Sequence, residues 1–514
     1  MEKNNRTINT VKNIGVNFGL YILTYIAVFI SRTFFVKLLG NEYLSLNGLF
    51  SNLITIISFS ELGLGTASIY CLYKPIAEKN YIQIHSYLKY FHKLYRVVIL
   101  ISTIVALLLI PTIPYIIDIN TLSISYGQIV LYYCLFCANT ISTYFFVESK
   151  LFLIADQKNY IANTLQQIIH IVQLVFQTIY LVYSKDFIGY LVIQIFSTFI
   201  TNIVIHLYVK NKYCEIYKYK VVEIETKERK KLTSNIRSIF CYKIGAVILN
   251  GTDNIIISSF VKTALVGICS NYLLVINAIN SVLMQCFNGI GASIGNHIIT
   301  ADKSEHEKVF RQLNLLCVIA YMFSSICLYV LLNPLINIWL GSKYLLDTNA
   351  MIVLILVFFI TGVNQIPSLY RTSIGLFKKV RFLPIWAAIS NIILSILFAK
   401  EVGLWGIFAA TIIVRLLFFT LVDPVMLYRY GFDISPTKYY ILYIRDFVFL
   451  ILGCVSVAYV CDFIEEGISF KHFFAKIIVC IVTSISLIVL LYNRTSDFKG
   501  LKSRLLTLFY EKNK

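Results

Sequence analysis

Apolar runs of about twenty residues recur along nearly the whole chain, separated by short polar breaks. As a helix, each run is long enough to cross the hydrocarbon layer of a bilayer. The pattern predicts fourteen spans, at 13–35, 44–73, 94–117, 123–148, 156–183, 187–209, 234–259, 263–296, 312–339, 349–373, 382–399, 403–428, 440–462 and 472–493. No interval between them could fold into a sizeable soluble domain, so the expected class is all-α integral membrane. The widest break, 210–231, carries eight basic and four acidic residues and divides the first twelve spans six and six. The expected organisation is an N-terminal lobe (1–209), a basic linker (210–233), a C-terminal lobe (234–428), two further helices (429–493) and an amphipathic, interfacial tail (494–514).

Composition agrees. With 58% apolar and only 14% charged residues, the chain has more apolar surface than a soluble core could hide. Its net charge of +19 does not call for nucleic acid, because basic residues in a membrane protein orient the chain and meet anionic lipid. With the N-terminus inside, most Lys and Arg between spans fall on the cytoplasmic side, notably at 74–96, 210–231 and 371–381. The outer loop 111–122 has none, which predicts both termini in the cytoplasm. Lys3, Arg6 and Lys12 precede a first apolar run too long for a signal-peptide core, and no small-residue cleavage site follows it. Twelve cysteines scatter through the spans, and Cys134 and Cys137 read as apolar filler rather than a metal or redox pair.

The two halves carry a trace of repetition. Residues 31–52 lie on 250–271 at constant offset, with Thr33, Leu46, Gly48, Ser51 and Asn52 matching Thr252, Leu265, Gly267, Ser270 and Asn271. An offset of six spans preserves topology and predicts two parallel six-helix lobes plus two C-terminal helices, an arrangement used by alternating-access transporters.

A charge at mid-bilayer costs roughly 2.5–3.5 kcal/mol on insertion scales, so each one needs a partner or a wet cavity. The candidates are Arg32, Glu61, Lys243, Asp253 and Arg415. In the seventh span Lys243, Asn250 and Asn254 share a helical face, with Asp253 on its flank. In the first span Asn17, Tyr21, Thr24 and Ser31 form a stripe ending at Arg32. These faces line a shared cavity, or Lys243 and Asp253 pair and pin helices together. Asn163, Gln166, Gln167, His170, Gln173 and Gln177 occupy one face of the fifth span. Amides suit sugar hydroxyls and also glue helices.

Glu61 is the candidate coupling carboxylate, followed at once by Gly63 and Gly65. Asn364 and Gln365 precede Pro367, a kink that opens carbonyls toward a cavity. Arg415 either binds phosphate or pairs with another helix. Arg237, Arg371 and Arg445 lie near cytoplasmic ends and are expected to snorkel. No phosphate-binding loop of the G-x-x-x-x-G-K-[ST] form, metal-ligand cluster or hydrolase elbow occurs, so no metal or cofactor is expected. Work done by the chain must draw on an ion gradient, H⁺ or Na⁺, on the membrane potential, or on a partner.

Four segments carry a resemblance: LLGNEYLSLNGLFSN at 38–52, SELGLGTA at 60–67, YCLYKPIAEK at 70–79 and NGTDNIIIS at 250–258. They resemble the Wzx-type polysaccharide transporters, in the superfamily that also holds multidrug-and-toxin-extrusion antiporters and the lipid II flippase. The resemblance implies a V-shaped alternating-access transporter, not an enzyme, that moves undecaprenyl-pyrophosphate-linked oligosaccharide outward across the bacterial cytoplasmic membrane for capsule, O-antigen or another surface polysaccharide. It implies a pyrophosphate site at Arg32, Lys243 and Arg415. Asn17, Thr24, Asn163, Gln166, Gln167, His170, Gln173, Asn250, Asn254, Asn364 and Gln365 would meet sugar, and Glu61 and Asp253 would couple ions. Expected partners are the lipid-linked oligosaccharide, membrane lipids, a polysaccharide polymerase and glycosyltransferases, with the chain a monomer. A drug or organic-cation antiporter, a lipid II flippase and a membrane-embedded glycosyltransferase or polymerase are the alternatives. Acidic, aromatic walls would favour the first; a soluble catalytic domain or long outer loop would mark the last.

Overall fold

Helix is what a bilayer demands of a lone apolar segment, because every N–H and C=O must find its partner within the segment. The computed structural model describes residues 2–61, 63–119, 122–300, 303–374, 376, 380, 382–463 and 470–511. Side chains are described for these except 2–18, 56, 59–60, 227–228, 231, 234–239, 241–242, 246, 250, 288–300, 303–304, 470 and 504–511. The described residues hold helices and no strand. Among the described residues, eleven helices are long and apolar enough to cross a membrane, or twelve if one bent pair counts as a span. The chain is an all-α, multi-pass membrane protein.

Two compact units divide it, residues 1–267 and 268–514. The first contains α1 (Glu2–Leu39), α2 (Asn41–Ile57), α3 (Leu64–Ala77), α4 (Tyr81–Leu109), the short α5 (Ile113–Ile116), α6 (Tyr126–Ser142), α7 (Val147–Ala155), α8 (Asn159–Ser184), α9 (Phe187–Lys212), the short α10 (Cys214–Lys218), α11 (Thr226–Gly251) and α12 (Asp253–Phe260). Polar residues at the breaks start several of these helices. Asn80 accepts from the Gln83 N–H, Ser125 and Gln128 form a capping box, and Asp186 accepts from the Ile188 and Gly189 N–H groups. Within the unit α1 lies on α8, α8 on α9, and α9 on α6. An apolar core including Ala67, Phe91, Tyr95 and Phe152 joins α3, α4 and α7.

The expected second and seventh spans are each broken. Between α2 and α3 a 3₁₀ turn at Ser58–Glu61 gives way to Gly63, whose φ of 89° suits a residue without Cβ. The seventh breaks at Gly251 and Thr252, between α11 and α12. The segments SELGLGTA and NGTDNIIIS therefore mark helix interruptions. The two segments of the suggested repeat touch each other. The Gly267 N–H donates to Ser45 Oγ at 3.1 Å, and Asn254 Nδ2 donates to the Gly48 carbonyl at 3.4 Å. A Cβ at Gly267 would crowd Asn41 and Ser45, so the start of α13 (Thr263–Thr300) reaches α2 only as glycine.

The second unit takes in α13 from Ile268, then α14 (Lys303–Leu340), α15 (Thr348–Val363), α16 (Gln365–Ser373), α17 (Leu383–Val402), α18 (Leu404–Val414), α19 (Val422–Leu427), α20 (Thr437–Asp462), α21 (Phe470–Tyr492) and α22 (Ser496–Glu511). At its centre is α14, packed by α15, α20, α21 and α22. The expected break around Asn364 is present, between α15 and α16. The π-helical turns Arg415–Thr420 and Tyr428–Phe432 flank α19. The tail helix α22 packs on α14, where Asp497 meets Arg311 at 3.6 Å.

Candidate functional site

Two polar stripes in the first unit create its main feature. Along α8, Gln166, Gln167, His170 and Gln173 fall on one face. Along α9, Gln194, Ser197, Thr198, Thr201 and Asn202 recur every three or four residues, again one face. Both faces line a cavity of about 590 Å³, within the range that encloses drug-sized ligands. Its remaining wall is Glu61, Thr143, and Val147 and Lys150 of α7. Of these described lining side chains only Val147 is apolar, and none is aromatic apart from the His170 imidazole.

The α6–α7 break aims the third wall inward. The two helices meet at a 44° bend, and Phe146 sits in the left-handed region at φ 58°. Breaking a helix frees carbonyls, and Asn202 Nδ2 donates to one of them, Ser142 O, at 2.8 Å. Other contacts hold the lining amides in place. Lys150 Nζ donates to Gln166 Oε1 at 3.0 Å, Thr24 Oγ1 of α1 to Gln167 Oε1 at 2.7 Å, and Gln173 Nε2 to Gln177 Oε1 at 3.2 Å. Gln177 is fully buried and donates to the Tyr190 carbonyl, so it anchors the helix instead of facing the cavity.

Glu61 accepts from the Tyr95 hydroxyl at 3.3 Å and lies within electrostatic reach of both Lys150 and Lys243. Lys243 donates to Thr66 Oγ1 at 3.0 Å. With the carboxylate ionised, these three groups carry one net positive charge; protonated, two.

The other expected residues are distributed as follows. Arg32 is half-buried and interacts with Tyr190. Asn163 is half-buried on α8 and is not among the described cavity-lining residues. Asn254 is spent on Gly48, and Asp253 begins α12. Asn364 donates to Thr420 Oγ1 at 2.8 Å, and Gln365 accepts from the Tyr321 hydroxyl at 3.3 Å, both inside the second unit. Arg415 opens the first π turn, also in the second unit. The side chains of Asn17, Asn250 and Arg237 fall outside the described set.

Two expectations are corrected. Arg371 does not snorkel: only 2% exposed, it is paired with Asp423, itself 1% exposed. Arg445 folds back on Asp446 at 2.6 Å, over the rings of Phe449 and Tyr492. Sequence reasoning missed Lys150 and the α9 stripe. The stripe's signal was present, polar residues at spacings of three, four, seven and eight in an apolar run; Lys150 gave none, being placed by the α6–α7 bend.

No family model matches the chain, and no curated protein does. Its fold, however, is similar to that of several solved membrane transporters. A solved structure of the lipid II flippase MurJ, in an inward closed conformation, matches with a TM-score of 0.69 at 16% identity, covering 93% of this chain and 99% of that one. An inward-facing multidrug resistance MATE family transporter of the MOP superfamily matches with a TM-score of 0.62 at 13% identity, over 78% of this chain and 92% of the other. A Vibrio cholerae MATE transporter gives 0.57 at 12% identity, over 83% and 99%.

Proposed function

We propose that the chain is a flippase that carries undecaprenyl-pyrophosphate-linked oligosaccharide from the cytoplasmic to the outer face of a bacterial cytoplasmic membrane, with both termini cytoplasmic. The observation that carries this reading is the lining of the 590 Å³ cavity. Amides and hydroxyls offer donors and acceptors in the density a glycan uses. A site for lipophilic cations would be walled by aromatic or apolar groups, and this one is not.

The pyrophosphate is assigned to the basic residues. Lys243 and Arg32 are its candidates, and Lys150 joins Lys243 beside Glu61. Gln166, Gln167, His170 and Gln173, with the α9 stripe, meet the sugars; Thr24 positions Gln167. Glu61 and Asp253 are the coupling carboxylates, for H⁺ or Na⁺. Two negative charges moving outward through about 100 mV, inside negative, gain roughly 4.6 kcal/mol, enough to favour export. Glycosyltransferases that build the substrate and a polymerase that consumes it are the functional partners.

The likeness to MurJ supports a second reading, flipping of lipid II, whose polyprenyl-pyrophosphate chemistry is shared. A proteoliposome assay decides among these. We expect flipping of fluorescent undecaprenyl-pyrophosphate oligosaccharide, faster with the potential oriented to draw anions outward, and a fall of tenfold or more in Lys243→Ala and Arg32→Ala. Flipping of lipid II alone would select the second reading. Transport of small organic cations with no lipid movement would overturn both.

A further inference from the structure

A buried acid–base cluster lies beside the cavity and takes no part in the substrate contacts above. Glu148, one residue into α7, is 6% exposed. Its Oε1 lies 3.0 Å from His92 Nδ1 on α4, and its Oε2 is buried with no hydrogen-bond partner. The next residue, Ser149, places Oγ 2.9 Å from His206 Nδ1 on α9. The Phe146 ring covers both imidazoles, with centroids 4.6 Å from His206 and 6.4 Å from His92.

A structural carboxylate so deeply buried normally fills both oxygens with donors, because an unmade hydrogen bond costs about 1–3 kcal/mol, more for a charge. Here the second oxygen makes no hydrogen bond, in a carboxylate bonded to one histidine and within electrostatic reach of a second, the residue type that most often shuttles protons. Intramembrane ionisable groups of this kind mark proton or ion pathways.

We infer that Glu148, with His92 and His206, is a proton-binding site distinct from Glu61. The site binds H⁺ whatever the substrate; its role in driving transport rests on the flippase reading. The step balances. An ionised carboxylate cannot donate, so His92 Nδ1–H donates to Oε1 and leaves Nε2 as acceptor. A proton arriving at Nε2 makes the imidazolium, which passes its Nδ1 proton to Glu148. The products are a neutral imidazole and a carboxylic acid, one bound proton in all.

The groups facing Glu148 are His92 and Tyr95 of α4, His206 of α9 and Tyr217 of α10, with Lys210 acting on His206. On the cavity side stand Lys150 of α7 itself, Glu61 of the 3₁₀ turn before α3, and His170 of α8. Tyr95, one turn along α4 from His92, donates to Glu61 and lies within electrostatic reach of Glu148.

Two readouts on the full-length protein test the site. In detergent and without substrate, infrared difference spectra between about pH 5 and about pH 8 should show a protonated-carboxyl band that is lost in Glu148→Gln and shifts its midpoint in His92→Gln. In proteoliposomes, an imposed pH gradient should accelerate flipping in the wild type, with at least a fivefold loss of that acceleration in Glu148→Gln and potential-driven flipping retained. If Glu148→Gln does not fold, by size exclusion, the His92→Gln midpoint shift decides. A carboxyl band unchanged in both variants, or full gradient acceleration in Glu148→Gln, overturns the proposal. Wild type that flips no lipid under any gradient would refute the flippase reading, while the infrared result still decides the proton site.

Discussion

In the first unit two polar stripes, on α8 and α9, face open space, whereas several buried polar side chains of the second unit face one another. The α8 and α9 stripes hold amides and hydroxyls around a cavity of about 590 Å³. In the second unit, Arg371 pairs with Asp423, Asn364 with Thr420, Asn391 with Thr411, and Asp446 accepts from both Arg445 and Tyr492. A cavity there, lined by Arg311, Tyr428 and Asp446 among others, measures about 20 Å³, room for a single water. Burial is deepest in the second unit's central helices, with 56% of the apolar stretch of α14 and 67% of that across α15–α16 buried, against 17% and 22% in α8 and α9 and 22% and 17% in α20 and α21. Polar residues in an apolar run thus have two fates. Where helices close on each other they become glue; where a bend holds helices apart they become lining.

The contrast predicts where substitutions strike. The largest effect should come from Asp423→Ala, which removes the carboxylate that compensates the buried Arg371 charge; we expect a loss of about 3–5 kcal/mol, read by denaturant unfolding in detergent. Arg371→Met with Asp423→Leu should recover most of that loss, since a well-packed apolar pair replaces the ions.

Gly362→Ala comes next. A Cβ at Gly362 would enter the Tyr321 ring, which is fully buried and bonded to Asn280. Overpacking of this kind costs about 1–3 kcal/mol, measured by the same unfolding curves.

In the first unit the sign of the experiment reverses. Gln194→Leu combined with His170→Leu should leave unfolding unchanged and cut glycolipid flipping roughly tenfold, at about 0.5–1.5 kcal/mol per lost hydrogen bond. An unfolding loss equal to that of Asp423→Ala would erase the distinction between lining and glue.

The smallest effect concerns the junction of α7, α8 and α9, where Tyr213 donates to Asp156 and Lys158 bonds to both. Burial first, and then the Asp156 hydrogen bond, push the Tyr213 phenol up to about 12. The folded state therefore holds that proton more tightly than the unfolded chain. The stabilisation is complete below about pH 10 and is lost as pH rises through about 12. Tyr213→Phe should flatten this alkaline limb of a melting-temperature profile and cost ~1 kcal/mol at neutral pH.

Much of this contrast is written in helical periodicity and little of it in residue type. The spans and the α8 stripe are legible because their apolar and polar positions repeat at helical spacing. The break at Asn364 is legible from Pro367. Glu61 draws notice as a charge in an apolar run, and the cavity indeed reaches it. The breaks at Gly63 and Thr252 are hidden, since a hydropathy window averages across one or two residues. Arg371 is illegible for another reason: near a span end, snorkelling and pairing look alike until Asp423, 52 residues on, is brought alongside. Lys150 and Glu148 depend on the same bend at Phe146, which no apolar pattern encodes.

Cavity occupancy by the glycan is tested most directly by protection of a cysteine placed in its wall. In Ser197→Cys, labelling by a membrane-impermeant maleimide, counted above the native-cysteine background by intact mass, should proceed in substrate-free protein. Undecaprenyl-pyrophosphate oligosaccharide should suppress it at least fivefold, and undecaprenyl pyrophosphate without sugar should not. Equal labelling with and without the glycolipid, at concentrations where its binding is independently measured, would contradict the account.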